Sequence, residues 1–335
     1  MPRERDLWVV QPFAENPDDR IDRIGEKRLL SFIREWLGAA CPPAPRGIGD
    51  DAAVLPRPDR PHLLLTNDGL VWGRHFDATA SASAAGAKLL KRSLSDIAAM
   101  GGRPLQAVLA IAAGGDLSRR WLGGFFAGLA ECARAHGCEI NGGDLSGADS
   151  GTFAANLTLL GDCGRPVPRK GGAPGSWIWA TGSLGGSILG HHLTFEPRLA
   201  EGAWLAADGG ASALMDLTDG LALDLPEMIP DGLRARIDLA FVPVSDAARA
   251  AAQDTGRPAV WHAFTDGEDY ELAFFTPPET DPVAFESAWK RRFATPLAPI
   301  GTLERAPRPD GPAPAKVVGL DGRELFGRDG FEHFR

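Results

Sequence analysis

Apolar residues recur along the chain with two different spacings. At Ala84, Ala87, Leu90, Leu94 and Ile97, and again at Trp121, Leu122, Phe125, Leu129 and Cys132, they fall three or four positions apart, which gathers them on one face of an α-helix. Phe153, Ala155, Leu157 and Leu159 instead alternate with Ala154, Asn156 and Thr158, the period of a half-buried strand that ends at Gly161-Asp162. Apolar runs at His62 to Thr66 and at Trp177-Ile178-Trp179-Ala180 predict further strands. Glycine- and aspartate-rich stretches follow such runs, as Asn67-Asp68-Gly69 follows Thr66, and these predict loops. Helical and strand patterns interleave, so the predicted class is mixed α/β.

A chain of 335 residues exceeds the usual size of one core, and two domains are expected, at 1-163 and 164-335. The segment from Gly164 to Gly175 holds three prolines, four glycines and three basic residues, the composition of an exposed connection. Only Cys41 to Pro45 and Ala306 to Ala315 are biased in composition, both towards proline.

Composition narrows the function classes. With 44% hydrophobic and 24% charged residues the chain reads as globular. Apolar runs such as Ala107 to Ala113 are far shorter than the roughly 20 residues a membrane helix needs, so no membrane span is expected. Met1 to Arg20 lacks the apolar centre of a signal peptide, and a cytoplasmic location is expected. Cys41, Cys132, Cys138 and Cys163 show no Cys-x-x-Cys spacing, which argues for reduced thiols over zinc or disulfides. A formal charge of -9 disfavours nucleic acid, whose binding needs a basic face. It also means that phosphate substrates would have to be held through intervening cations.

Neither a P-loop nor the dinucleotide fingerprint occurs; Gly182-Ser183-Leu184-Gly185-Gly186 does not match the latter. Gly47-Ile48-Gly49-Asp50-Asp51-Ala52-Ala53-Val54 places adjacent carboxylates in a flexible loop. Hard Mg²⁺ takes such oxygen ligands, one or two carboxylates together with substrate phosphates. The same pattern serves a turn whose aspartates bond their own backbone. Asp68, Asp96, Asp144, Asp216 and Asp219 extend the set, although each alone is weak: Asp96 also reads as a solvated helix residue, and Asp144 and Asp219 as strand ends or helix caps. Several follow predicted strands, where α/β folds place ligands.

These blocks, in order, resemble the thiamine-monophosphate kinase family. Gly-Asp-Asp-Ala-Ala-Val is followed by Asp68-Gly69-Leu70-Val71 with Gly73 and His75-Phe76, then by Leu94-Ser95-Asp96-Ile97-Ala98-Ala99-Met100-Gly101. Downstream come Gly142-Gly143-Asp144, Arg169 with Gly171 and Pro174-Gly175, and Pro197-Arg198. Asp219-Gly220-Leu221 with Asp224-Leu225, Gly267-Glu268-Asp269-Tyr270-Glu271-Leu272 and Gly330-Phe331-Glu332-His333-Phe334 complete the series.

The resemblance implies the two-domain fold of aminoimidazole ribonucleotide synthetase, with mixed α/β domains, a dimer formed in part by the N-terminal sheet, and ATP in the cleft between the domains. It assigns magnesium to Asp51, Asp68, Asp96, Asp144, Asp216 and Asp219, with Asp50, Thr66 and Asn67 alongside. Gly143, Asp144, Arg169 and Thr218 would contact ATP; His75, Glu268 and Phe331 would contact thiamine monophosphate. The implied reaction transfers the γ-phosphoryl group of ATP to thiamine monophosphate and yields thiamine diphosphate. From the residues alone, His75 equally reads as a core histidine, Glu268 as a turn carboxylate and Phe331 as core.

The segment Asn67 to His75 departs from the family pattern. Trp72 and Arg74 add bulk and charge, and Asn67 and Gly69 stand where hydroxyl residues are usual. Leu145 stands where a threonine is usual and Asp266 where a glycine is. A related kinase for a different phosphorylated acceptor, or a non-catalytic nucleotide-binding homologue, stays open on these grounds.

Overall fold

The computed structural model describes residues 12–21, 26–42, 62–307 and 315–326. The chain divides into two compact units, Met1–Ile97 with Arg103–Cys163, and Ala98–Gly102 with Gly164–Arg335.

The first unit carries α1 (Glu26–Leu37), β1 (His62–Val71), α2 (Ala82–Ala99), β2 (Arg103–Gly114), α3 (Arg119–Ala135), β3 (Glu139–Ala148) and β4 (Phe153–Cys163). Its sheet has the order β1-β4-β2-β3, antiparallel except for the parallel β2 and β3. One face is buried: Leu64, Leu70, Leu109, Ile111, Phe153, Leu157 and Leu159 lose contact with solvent, as do Leu90, Leu94 and Ile97 of α2 and Trp121, Phe125 and Leu129 of α3. Phe153 lies 4.8 Å from Trp121 and 5.3 Å from Phe125, both edge to face. Burying each such ring contributes about 1.5 to 3 kcal/mol. The other face is open, exposing Leu63, Leu65 and Val108. This one-sided burial explains the polar alternation in Phe153–Cys163.

The second unit carries β5 (Trp177–Thr181), α4 (His191–Thr194), α5 (Leu199–Ala207), β6 (Ala213–Asp216), α6 (Leu221–Met228), β7 (Leu233–Ile237), α7 (Asp246–Thr255), α8 (Ala259–Thr265), β8 (Leu272–Thr276), α9 (Pro282–Lys290), β9 (Leu297–Arg305) and β10 (Val317–Gly319). The sheet order is β10-β7-β9-β5-β8-β6, with only β10 and β7 parallel. Both faces of its centre are covered. Ile178, Ala180, Met215 and Phe275 meet Leu221, Leu225 and Phe264, while Trp179, Leu214 and Phe274 meet Leu205 and Trp289. Hence β5 and β8 are apolar without alternation, as two-sided burial demands.

Two sequence expectations change here. Asn67, Asp68 and Gly69 form no loop; they continue β1 and pair with Thr158, Leu157 and Asn156. Asp144 likewise lies inside β3, opposite Ala110 of β2.

Candidate active site

In the first unit, sheet register sorts the candidate ligands onto two faces. Thr66 and Asp68 fall on the same face of β1 as the buried Leu64 and Leu70 and so point beneath the sheet towards α2. There the Thr66 hydroxyl donates to Asp96 of α2, and the Ser93 hydroxyl donates to Asp68 Oδ2 at 3.0 Å. Arg92 Nε lies 3.4 Å from Asp68 Oδ1. Asn67 points to the open face, where its amide donates to Thr158 Oγ1 at 2.8 Å. Asp144 shares that face and accepts from Ser146 at 2.9 Å. Thr66, Asp68 and Asp96 therefore form one group, while Asn67 and Asp144 lie on the opposite face at the two opposite edge strands, β1 and β3, and are not brought together.

Gly143 is fixed by its neighbour strand. A Cβ there would stand 1.6 Å from the Leu109 carbonyl oxygen, so β2 and β3 approach only because no side chain intervenes. His75 closes a tight turn after β1: the Val71 N–H donates to its Nδ1 at 3.0 Å, and the buried Lys88 donates to its carbonyl oxygen at 2.7 Å. Trp72, expected to add bulk near an acceptor, instead meets Phe76 at 5.3 Å and Phe13 at 6.0 Å. Arg74 is exposed. Asp50, Asp51 and Phe331 lie outside the described residues.

In the second unit Asp216 ends β6, buried, and Thr218 and Asp219 form the turn into α6. Asp224, in the first turn of α6, accepts both backbone N–H groups of that turn, from Thr218 at 2.8 Å and Asp219 at 3.0 Å. Burial, then the nearby Asp219 charge, pushes the Asp224 carboxyl up to about 7.

The segment 267–271 is tied to the same turn. The Glu268 N–H donates to the Thr218 carbonyl at 2.7 Å and the Tyr270 N–H to that of Leu217 at 2.8 Å. Gly267 has φ 70°, and a Cβ there would stand 2.8 Å from the Thr218 oxygen. Glu268 and Tyr270 also take positive φ, 54° and 52°, which costs about 1 to 3 kcal/mol each and marks a segment over-determined by its surroundings. Those surroundings are polar and buried. Asp269 Oδ1 accepts from the Gly185 N–H at 2.9 Å and from the Ser187 hydroxyl. Glu271 accepts from Arg198 at 2.7 and 2.5 Å and from Thr181 at 2.6 Å. Arg169 lies exposed ahead of β5.

Sequence reasoning gave no role to Asp224, Asp269 or His192, although all three hold site backbone or side chains in place. For Asp224 a signal existed, an acid in the first turn of a helix beside an Asp-Gly turn. Nothing in the spacing singles out His192.

Among the described residues, no three His, Cys, Asp or Glu side chains converge into a metal cage of their own. The candidate donors are nonetheless all carboxylate, hydroxyl or amide oxygens, the set that Mg²⁺ accepts when phosphates and water supply the rest.

Comparison with known proteins identifies what the chain is similar to. The family models described as AIR synthase related protein, N-terminal domain and C-terminal domain, match residues 49–163 and 143–310. The thiamine-monophosphate kinase of Rhodopirellula baltica is 37% identical over 273 residues, covering 79% of this chain and 86% of that protein. That of Salmonella typhimurium is 32% identical over 339 residues, covering 92% and 98%. Among solved structures, AaThiL complexed with AMPPCP and TMP aligns with a TM-score of 0.70 at 25% identity, covering 94% of this chain and 99% of that one. Thiamine-monophosphate kinase from Stenotrophomonas maltophilia K279a aligns with a TM-score of 0.71 at 27% identity, covering 89% and 96%.

Proposed function

The chain belongs to the thiamine-monophosphate kinase family, and we propose that it phosphorylates thiamine monophosphate with ATP, forming thiamine diphosphate and ADP. The observation that carries this reading lies in the second unit, where Glu268 is fixed by backbone hydrogen bonds onto the turn that bears Asp219. A residue suited to a cationic acceptor and a residue suited to a phosphate-bound cation thus share one rigid support.

A phosphate oxygen of the acceptor forms the new P–O bond as the bond between the γ-phosphorus and the β–γ bridging oxygen breaks. That nucleophile is already ionised near neutral pH, so the site needs no strong general base, and alignment and charge neutralisation suffice. Asp68, Asp96, Asp144, Asp216 and Asp219, with Asp51, would hold magnesium, and Asp50, Thr66 and Asn67 are further candidate ligands. Candidate ligands lie on both faces of the N-terminal sheet, which supports a reading with more than one ion. Magnesium, when bound, offsets the repulsion between two anionic phosphates and stabilises charge on the transferring group. Gly143, Arg169 and Thr218 would contact ATP. Glu268 would contact the thiazolium cation, and His75 and Phe331 are carried as further acceptor-binding residues. Trp72 serves aromatic packing, so the changed segment after β1 alters the acceptor surface chiefly through the exposed Arg74.

The open sheet face with Leu63 and Leu65 supports a homodimer of this chain, an apolar face being poorly left in water. Among the described residues no helix is long and apolar enough to cross a membrane, and we place the reaction in the cytoplasm. Purified protein incubated with ATP, magnesium and thiamine monophosphate should form thiamine diphosphate. Absence of that product, with ATP and magnesium saturating, would overturn the assignment.

A further inference from the structure

Glu268 sits in more structure than a simple anionic contact needs. Its Oε1 accepts from the Tyr270 hydroxyl at 3.3 Å, and its Oε2 lies 3.2 Å from His192 Nδ1. A carboxylate only accepts, so Nδ1 is the donor and carries the proton. Both donors are themselves fixed. Tyr270 is buried and stacked on Phe195, with ring centroids 3.9 Å apart and planes 13° apart. His192 is buried in α4, a single turn, and its neighbour His191 meets the Asp269 carbonyl at 3.3 Å. The Glu268 side chain is 21% exposed against 6% for His192.

Of this group, only the carboxylate reaches solvent. The two donors hold the carboxylate by one contact on each oxygen. Backbone bonds to Leu217 and Thr218 meanwhile prevent the segment from swinging away.

We propose that His192 and Tyr270 are positioning residues that aim the Glu268 carboxylate at the cationic ring of the acceptor, and so set acceptor recognition without taking part in phosphoryl transfer. This rests on the reading of Glu268 as an acceptor-binding residue. A bare structural anchor would behave differently, because it would affect ATP and acceptor alike and would not depend on whether Glu268 carries a charge.

The test is steady-state kinetics of the full chain with ATP, magnesium and thiamine monophosphate, with thermal unfolding followed in parallel. For His192→Ala the expected result is an increase of about 10-fold in KM for thiamine monophosphate, with kcat and the KM for ATP within about twofold. His192→Asn, whose amide nitrogen can replace Nδ1, should recover most of that increase, and Tyr270→Phe should show about a threefold increase. Glu268→Gln should raise the same KM at least as far as His192→Ala, and adding His192→Ala to it should change little further. Equal effects of His192→Ala and His192→Asn, a fall in kcat at constant KM, or a full His192→Ala effect on top of Glu268→Gln would overturn the proposal. If Glu268→Gln leaves the acceptor KM unchanged, the role of Glu268 itself falls. Should His192→Ala fail to fold, Tyr270→Phe and His192→Asn decide by the same KM criterion, an unchanged KM in Tyr270→Phe counting against the proposal.

Discussion

The two units fix their carboxylates by different means. In the first, Asp68, Asp96 and Asp144 stand on regular elements and are held by other side chains, those of Ser93, Thr66 and Ser146. In the second, Asp216 and Asp219 flank a turn whose backbone is clamped by Asp224 and by the segment 267–271. A hydroxyl partner exchanges for a cation with little disturbance, because both offer a carboxylate the same kind of contact. A clamped backbone holds its shape before any cation arrives. The N-terminal set is therefore suited to taking up and releasing ions, and the C-terminal turn to presenting a fixed surface to them.

The largest test asks whether both halves are needed. Asp96→Asn and Asp219→Asn are each expected to lower kcat by about 10³-fold, with far-UV circular dichroism unchanged, since each removes charge from a group that neutralises phosphate. Near-wild-type turnover by Asp96→Asn at saturating magnesium would remove the N-terminal set from the chemistry and leave the C-terminal turn standing alone. The converse result would invert the comparison.

A second test separates side-chain from backbone support. Asp224→Ala strips two half-buried N–H groups of their acceptor, a cost of about 1 to 3 kcal/mol each at most, and should lower kcat by about 30-fold as the turn loosens. Ser93→Ala removes one replaceable hydroxyl and should change kcat by less than about threefold. Both are read from initial rates at saturating ATP and magnesium. Similar losses in the two variants would mean that the units do not differ in the way described.

How far the sequence announced this arrangement follows the same division. The loops of the second unit are loops in fact, so Asp-Gly at 219–220 and Gly-Glu-Asp at 267–269 read correctly as turn chemistry. In the first unit Asn67-Asp68-Gly69 and Asn141-Gly142-Gly143-Asp144 carry residues that strands usually avoid, yet both lie in strands. The cause is tertiary: β1 and β3 are the edges of a one-sided sheet, and Gly143 is there because the Leu109 carbonyl fills the place of a Cβ. The apolar spacing of α2 predicted the helix but not the breadth of its burial, which extends to Lys88, Ser93 and Ser95. Lys88 and Ser93 meet the His75 carbonyl in the turn after β1 and the Asp68 carboxylate of β1, and no periodicity encodes that. His192 reaches Glu268 across α5, β6, α6, β7, α7 and α8, a distance in sequence that no local pattern spans.

The smallest expected effect concerns the acid that supports the C-terminal segment. Asp269 is buried, its Oδ1 accepts two donors, and its Oδ2 has no partner among the described residues. Burial pushes its carboxyl up to about 7 from the ordinary 3.8, and the nearby Glu271 and Asp266 charges push the same way against the bonds from Ser187 and Gly185. The first unit solves a comparable problem by pairing: both oxygens of the buried Asp162 meet Arg103, at 2.7 and 3.2 Å. For Asp269 the folded chain keeps a proton that the unfolded chain loses near pH 4. Its contribution to stability is therefore complete below about pH 4 and is lost as pH rises through about 7. Asp269→Asn keeps an oxygen acceptor for Gly185 and Ser187 but cannot ionise. Urea unfolding from about pH 5 to about pH 8 should show the wild-type chain losing stability relative to this variant, with a slope of at most one proton. A difference that stays flat across that range would mean that Asp269 folds in its charged form.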